Sequence, residues 1–283
     1  MANVRDIRRR IRSVRSMEQI TNAMKMVAAS KLRKAQEKVI AARPYAHRMQ
    51  EILGRLAQVQ EEEETHPLLE ERPVERVGYI IVSSDRGLCG GYNANLFRMT
   101  NDIIKNETRD VRLVTIGSKG RDFYRREKFE TVAEFVGLGD EPSYGQAREI
   151  AQEVISLYES GELDEVYIMY NEFVSAITQR PTQVKLLPIE KPKQESKREY
   201  IFEPSDEEIL NTLLPKYVET QVFRTLLEGK ASEMGAKMTA MGAATDNARE
   251  LIDELTLRMN RARQAAITTE ISEIVGGASA LEQ

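Results

Sequence analysis

Apolar residues at both ends of the chain recur in alternating steps of three and four over unusually long stretches. The C-terminal series is the more regular and runs from Met234 to Ala266. This spacing places the side chains on one face of a helix and is typical of a coiled-coil seam. One residue later the register shifts, which indicates that the last turns of the helix meet a different surface. The shifted series consists of Ile267, Ile271, Ile274, Ala278 and Leu281.

The N-terminal series runs from Ile7 to Leu56 with two phase breaks and predicts a first helix over about residues 3 to 57. At the rise of an α-helix it would be on the order of 80 Å long, and a last helix over about 207 to 280 up to about 110 Å. Neither length fits inside a small globular domain. We expect Pro44 and Pro215 to kink or interrupt these helices, because proline lacks the backbone donor and crowds the preceding turn.

The middle of the chain has a different hydrophobic pattern. Short apolar runs alternate there with helical patterns near 92–106, 118–127 and 143–159. Strand, helix and strand at this spacing predict an α/β domain with a mostly parallel, Rossmann-like sheet. The predicted strands are Val77 to Ser83, Arg112 to Ile116, Val166 to Tyr170 and Gln183 to Leu187. The predicted division is a helix over 1–58, a linker over 59–75, the central domain over 76–190, a linker or hairpin over 191–206 and a helix over 207–283.

The first predicted strand runs into a glycine-rich turn in the stretch YIIVSSDRGLCGGYN, residues 79 to 93. Its glycines do not match the dinucleotide or P-loop fingerprints. A second strand-to-glycine turn, TIGSKGRDF, places Lys119 and Arg121 near a helix start where an anion could bind. Tight backbone geometry is the favoured reason for both sets of glycines. Asp85 and Arg86 are either an acid with its orienting cation or, as we favour, a turn or inter-element ion pair.

Composition excludes several classes of protein and site. A net charge of -4 argues against a generally basic nucleic-acid binder. Cys89 is the only cysteine, and His47 and His66 stand apart from other metal-ligating residues. We therefore predict no catalytic residue, no cofactor and no metal. The Arg-rich start is compatible with a mitochondrial presequence, but its helical periodicity favours the first part of one long helix.

Three segments carry a resemblance to a known family: RDIRRRIRSVRSMEQITNAMKMVAASKLRKAQ at 5–36, SSDRGLCGGYN at 83–93, and MTAMGAATDNARELIDELTLRMNRARQAAITTEISEIVGGASA at 238–280. They resemble the gamma subunit of F-type ATP synthases, in the right order and over essentially the whole chain. The size fits a bacterial form without the regulatory insertion of chloroplast relatives. The family signature is met by Ile267, Thr268, Glu270, Glu273, Gly277 and Ala278.

The resemblance implies an antiparallel coiled coil of the two terminal helices, forming a shaft inside a hexamer of alpha and beta subunits. It implies a rotor rather than a catalyst, driven by a membrane c-ring and contacted by the epsilon subunit. The expected location is the cytoplasmic side of the bacterial cell membrane, as a peripheral part of the complex. Neither nucleic acid nor a directly bound nucleotide is expected.

The resemblance also implies roles for individual residues. The catch loop of beta would meet Arg263, Gln264 and Thr268, and the lever loop of beta would meet Met24, Lys25 and Lys237. The hydrophobic bearing of the hexamer would hold Ile267, Ile271, Ile274, Ala278 and Leu281, although a frayed helix tail is the alternative. The foot toward the ring and epsilon would be Phe202, Glu203 and Pro204.

Gly242 stands where many family members carry Lys. Because glycine in a helix costs about 1 kcal/mol relative to alanine, we expect Gly242→Lys to stiffen the helix. Two other classes of function stay open: a nucleotide-dependent enzyme, suggested by the sheet and the glycine turns, and a coiled-coil scaffold or DNA binder, suggested by the basic start. Nucleotide binding would separate the first from a rotor, and steeply salt-dependent binding would mark the second.

Overall fold

The computed structural model describes residues 4–56, 66–190 and 206–281. Its contacts divide them into two compact units, one of residues 4–27 with 238–281 and the other of residues 28–56, 66–190 and 206–237. The helices are α1 (Val4–Leu56), α2 (Tyr92–Lys105), α3 (Ser118–Glu127), α4 (Tyr144–Glu159) and α5 (Asp206–Leu281), with a 3-10 helix at Pro67–Leu69. The strands are β1 (Arg76–Val82), β2 (Asp110–Ile116), β3 (Thr131–Phe135), β4 (Glu165–Phe173) and β5 (Gln179–Leu187).

The two long terminal helices are confirmed, with bounds close to the predicted ones. Neither proline interrupts its helix, because both Pro44 and Pro215 lie inside continuous helix, and the expected kink stays a prediction. A proline removes a single backbone donor, and its φ is compatible with helical geometry. Around Pro215 the buried side chains of Leu214 and Val218 hold the helix against the core. Packing therefore outweighs the local cost of the proline.

In the unit built from residues 4–27 and 238–281, the two helices pair along an apolar seam. Ile11 clusters with Leu255 near one end. Further along, the hydroxyl of Thr245 donates to that of Thr21 at 2.9 Å. Positions that rise along α1 are thus matched by positions that fall along α5, so the pair is antiparallel, as the resemblance implied.

The central sheet has five strands in the order β3-β2-β1-β4-β5. All neighbouring pairs are parallel except β4 with β5, which is antiparallel. This confirms the predicted mostly parallel α/β domain. The sequence prediction missed β3, because TVAEF is a short edge strand that is only partly buried and contains no continuous apolar run.

Both faces of the sheet are covered. Alternate residues of β1 point to opposite sides: Tyr79 and Ile81 join α2 and α3 in one cluster, whereas Ile80 and Val82 join α4 and α5 in the other. The chain therefore winds outward from β1 on one face and returns to β4 on the other. In such folds ligands bind at the carboxyl ends of the strands, where the winding reverses.

The predicted linker at 59–75 is described only from residue 66 onward. There it packs on the sheet domain, with Leu68 and Leu69 buried and the Leu68 carbonyl accepting from Ile189 N–H at 2.9 Å. Most of the second predicted linker lies outside the described residues. The two compact units cut across both long helices instead of following their ends, and the five-part division stays a prediction.

Candidate functional site

Helix α5 lies across the carboxyl ends of the sheet strands, the edge where a doubly wound fold binds its ligand. Two glycines of α5 permit the close approach. A Cβ added at Gly229 would lie 3.2 Å from a methyl of Val82, and one at Gly235 would lie 3.2 Å from the carbonyl oxygen of Ala176. Both distances are shorter than most Cβ contacts in proteins, so a larger residue at either position would require its neighbour to shift. Helix α5 thus lies close to the carboxyl end of β1 and to the loop that follows β4.

The start of α3 is the place where an anion would bind, and its backbone donors are already bonded. The N–H groups of residues 118, 119 and 120 donate to Oδ1 of Asp85, the carbonyl of Ser84 and Oγ of Ser83, at 2.9, 3.1 and 2.8 Å. These three N–H groups are the ones that a phosphate would use. The first turn of α3 is therefore capped from the loop that follows β1.

Asp85 supplies the negative charge at this helix start. Its partial burial alone would raise the pKa of the carboxyl, but hydrogen bonds from Gly137 N–H and from Ser118, with the nearby charge of Lys230, hold the pKa below its usual value. The carboxylate is thus ionised and bonded to backbone donors at the start of α3 and in the loop after β3. The expected ion pair is not seen among the described residues: Asp85 accepts from the Gly137 N–H and from the N–H and hydroxyl of Ser118, and not from Arg86.

Gly117, between β2 and α3, shows why a glycine is needed in the second turn. Its φ is 91°, and an added Cβ would lie 2.4 Å from the carbonyl oxygen of Ser83. No other residue fits without moving the backbone of Ser83, just after β1. The geometric explanation of the glycine at this turn is confirmed.

The turn at 83–93 is closed by Asn93, whose Nδ2 donates to Ser84 Oγ at 2.8 Å while its Oδ1 accepts from Ser84 N–H at 3.1 Å. Cys89 packs beneath the turn with Tyr92 and Ala236 of α5. Burial, with a smaller contribution from the charge of Glu233, raises the pKa of the Cys89 thiol. This thiol is therefore poorly placed for labelling or redox chemistry.

A charged cluster lies between the loop that precedes α4 and both long helices. Asp140 pairs with Lys31 of α1 at 2.6 Å and with Lys230 of α5 at 3.6 Å, and Lys230 also pairs with Glu233 at 2.9 Å. The cleft beside it, of about 210 Å³, is smaller than the roughly 300 Å³ at which ligand pockets begin. We therefore interpret the cluster as a set of ion pairs that fastens the loop before α4 to α1 and α5, and not as a ligand-binding site.

The residues predicted to meet the catch loop lie together on one exposed stretch of α5. Arg263, Gln264 and Thr268 are all exposed, and the Thr268 hydroxyl donates to the Gln264 carbonyl at 3.0 Å. No hydrogen bond from this hydroxyl to another element is seen among the described residues. A catch-loop role stays a prediction.

The predicted bearing residues Ile267, Ile271 and Ile274 are exposed by 48%, 56% and 65%. The side chains of Ala278 and Leu281 lie outside the described residues, as does the whole predicted foot at 202–204. Three isoleucines spaced at four and three thus form an apolar stripe on α5.

The residues predicted to meet the lever loop differ in their surroundings. Met24 is half-buried, and Lys25 is exposed with its side chain beside Gly242. Lys237 is largely buried, and its ammonium lies 3.3 Å from the carboxylate of Glu233 on the same helix. Lys237 is therefore already engaged, and its contact with a partner stays a prediction.

A family model described as ATP synthase matches residues 3–281. The ATP synthase gamma chain of Desulfitobacterium hafniense is 82% identical over 282 residues, which make up 100% of both chains. The chain belongs to the ATP synthase gamma-chain family. The suspected relationship is confirmed, and the match extends across both long helices and the sheet domain.

Solved structures agree with this family assignment. A chain in the central stalk and c-ring structure of the Tetrahymena thermophila mitochondrial ATP synthase matches with a TM-score of 0.62 and 25% identity, covering 80% of this chain and 99% of that one. A chain of the Euglena gracilis mitochondrial ATP synthase has a TM-score of 0.71 at 18% identity, covering 98% and 94%. The second match supports the fold alone. As a gamma chain, the protein is a subunit of an ATP synthase.

The described ranges of the gamma chain contain neither a membrane-spanning helix nor a metal-binding cluster. None of the helices in these ranges is both long and apolar enough to cross a membrane. Among the same residues no group of three or more His, Cys, Asp or Glu side chains is arranged to hold a metal ion.

Proposed function

We propose that this gamma chain is the central rotor stalk of a bacterial ATP synthase, and that it is itself non-catalytic. The observation that carries the proposal is the stretch of α5 from Arg263 to Gly277, in which every residue is exposed. It includes the three isoleucines of the apolar stripe. Apolar stripes on a helix are normally buried against a partner. A sleeve made by other subunits would supply that partner.

Alpha and beta subunits would form the sleeve around the end of α5. The apolar stripe would turn in a hydrophobic bearing, and the polar face with Arg263, Gln264 and Thr268 would meet the catch loop of a beta subunit. The exposed ammonium of Lys25 suits an acidic lever loop. Such an exposed pair is worth only about 0 to 1 kcal/mol, so the contact would guide rotation rather than hold the complex together.

The other end of the stalk would meet the membrane c-ring and the epsilon subunit through Phe202, Glu203 and Pro204. The gamma chain would lie at the cytoplasmic side of the cell membrane, attached through these partners. The Tetrahymena structure combines a central stalk with a c-ring, which supports this arrangement by analogy.

Torque would act by changing which contacts the stalk makes with each beta subunit as it turns. A rotor shifts a catalytic site only if its contact energy differs between the conformations of that site. The apolar stripe lies on one side of α5, so the surface that this helix presents is not the same all round. Each beta subunit would therefore meet a different surface at each angle. The chemistry would stay in the beta subunits.

Reconstitution with alpha and beta subunits tests the proposal. Because Cys89 is only 3% exposed, the bead is attached to a new cysteine at Lys105→Cys, an exposed position at the end of α2. We expect unidirectional steps of a third of a turn while ATP is supplied. A matched preparation without ATP should show no net rotation. Failure to assemble, or assembly without rotation, would refute the rotor proposal.

A further inference from the structure

Three hydrogen bonds form a closed ring, and two of them join α5 to the sheet domain. The hydroxyl of Ser232 donates to the backbone carbonyl of Asn171 in β4 at 2.8 Å. The side-chain amide of Asn171 donates to the backbone carbonyl of Tyr92 at 3.2 Å. The hydroxyl of Tyr92 donates to the backbone carbonyl of Gly229 at 3.0 Å, which returns to α5. The ring thus leaves and re-enters α5 within one helical turn.

The three side chains are almost completely removed from solvent. Ser232 is 0% exposed, Asn171 1% and Tyr92 4%. Burial, with a smaller contribution from the charge of Glu233, raises the pKa of the Tyr92 phenol, so it keeps its proton and remains a donor. Breaking any one bond would leave a buried polar group unpaired, which is more costly than losing the bond at the surface.

The ring has a mechanical property that the surrounding apolar contacts lack. Apolar packing is non-directional, so it fixes the orientation of a helix less sharply than hydrogen bonds do. Hydrogen bonds prefer angles above about 150° and weaken steeply below about 120°. Bonds to two different elements, α2 and β4, resist rolling in either sense. The close approach allowed by Gly229 and Gly235 keeps the donors within reach.

We infer that Tyr92, Asn171 and Ser232 are positioning residues that make α5 and the sheet domain turn as one rigid body, so that torque passes between them without slip. The inference rests on the proposed rotor function. Nothing in it requires these residues to touch a partner subunit. They act through α5, whose orientation on the sheet they hold.

The test compares two attachment points in the reconstituted complex. One bead is attached to the sheet domain through Lys105→Cys and the other to α5 through Lys216→Cys, both exposed positions. The variant Tyr92→Phe with Ser232→Ala removes two donors of the ring at nearly unchanged volume. We expect ATP-driven rotation to persist, while the bead on the sheet domain loses torsional stiffness relative to the bead on α5.

The matched control is Tyr79→Phe with Ser160→Ala. Tyr79 is equally buried, but its hydroxyl bonds to Glu107, and Ser160 bonds to Leu157, so neither bond reaches α5. The control should keep the wild-type stiffness at both attachment points. Equal stiffness in the ring variant and the control would overturn the inference and leave the rotor proposal intact. A wild-type complex that assembles but does not rotate would overturn both.

Hydrogen exchange decides the matter if the double variant does not assemble. In the full-length chain, Tyr92→Phe alone should speed amide exchange in α5 around 229–232 by about tenfold, as expected for one lost buried bond. Tyr79→Phe should leave that segment unchanged. Equal exchange in the two single variants would refute the role of the ring.

Discussion

Two stretches of the same helix differ in what covers them. In α5 every residue from Val218 to Ala236 is buried or half-buried, including the polar run at 219–221, whereas every residue from Arg263 to Gly277 is exposed. Both stretches mix small, apolar and charged residues, so composition alone does not separate them. The first is covered by the chain's own sheet domain. The second is exposed, and its apolar stripe is available to contact another protein.

The comparison explains how one long helix serves two purposes. Its covered stretch is held by core packing and, in addition, by buried hydrogen bonds and close glycine contacts that demand a particular orientation. Its exposed stretch makes no such demands, so its side chains are free to meet different surfaces as the helix turns. Even its hydroxyl groups bond back to the same helix, for example that of Thr269, which donates to the Ala265 carbonyl at 3.0 Å.

The strongest test of the covered stretch is Val222→Asp. Val222 is 1% exposed in the core between α5 and the sheet, and an unpaired buried carboxylate should lower the free energy of unfolding by about 4 kcal/mol or more. Chemical denaturation of the full chain measures the change. Val222→Ala, which creates a cavity without a charge, should cost less. An unfolding free energy within about 1 kcal/mol of wild type for the Asp variant would show that this stretch is not held by the core.

The matching change in the exposed stretch is Ile271→Asp. Because Ile271 is exposed, the free energy of unfolding of the isolated chain should change by no more than about 0.5 kcal/mol. Assembly with alpha and beta should weaken by about 2 kcal/mol or more, since an apolar side chain would no longer be buried. Titration of assembly measures this effect. Ser272→Asp, on the neighbouring face, is the control and should assemble better than Ile271→Asp. Equal assembly of the two would contradict the bearing role.

The covered and exposed stretches also differ in how much of them the sequence predicts. Periodicity alone predicts both long helices, since a seam needs only residues three and four apart. The register shift after Ala266 marks the start of the exposed apolar stripe. The sequence does not predict what covers α5 at Ser232, because its partner Asn171 lies 61 positions away and no local pattern distinguishes either residue.

The glycine-rich loops were predicted as turns, but their bonding was not. Asp85 caps α3 from 33 positions away in the sequence, whereas Arg86 beside it made an ion pair the simpler expectation. Such a cap depends on the parallel order of β1 and β2, which places consecutive carboxyl ends side by side. Long-range topology must therefore be known before the role of Asp85 can be deduced.

The variant Asp85→Asn tests how much the cap at the start of α3 contributes to the free energy of unfolding. Replacing the charged cap of α3 should cost about 1 kcal/mol at neutral pH. The folded-state pKa of Asp85 lies below the unfolded value of 3.8. Its contribution is therefore fully present above the unfolded pKa and is lost as the pH falls through the folded pKa. The variant should accordingly differ most from wild type near neutral pH.

Denaturation at a series of pH values measures both effects. Asp122→Asn is the control, because Asp122 is an exposed acid that bonds its neighbour Arg121. It should change stability by less than Asp85→Asn. If the difference in unfolding free energy between wild type and Asp85→Asn grew as the solution became more acidic, the capping role of Asp85 would be contradicted.

The smallest expected effect lies between the two stretches, at Gly242. A Cβ there would lie 3.7 Å from Cε of Lys25, an ordinary contact, so Gly242→Ala should raise the free energy of unfolding by about 1 kcal/mol through helix propensity. The sequence-based expectation for Gly242→Lys needs revision, because a second ammonium would approach Lys25 and repel it. Lysine should therefore stabilise less than alanine, and added salt should narrow the difference. Thermal unfolding at low and high salt measures which of the two variants is more stable. If Gly242→Lys were more stable than Gly242→Ala at low salt, the contact with Lys25 would be contradicted.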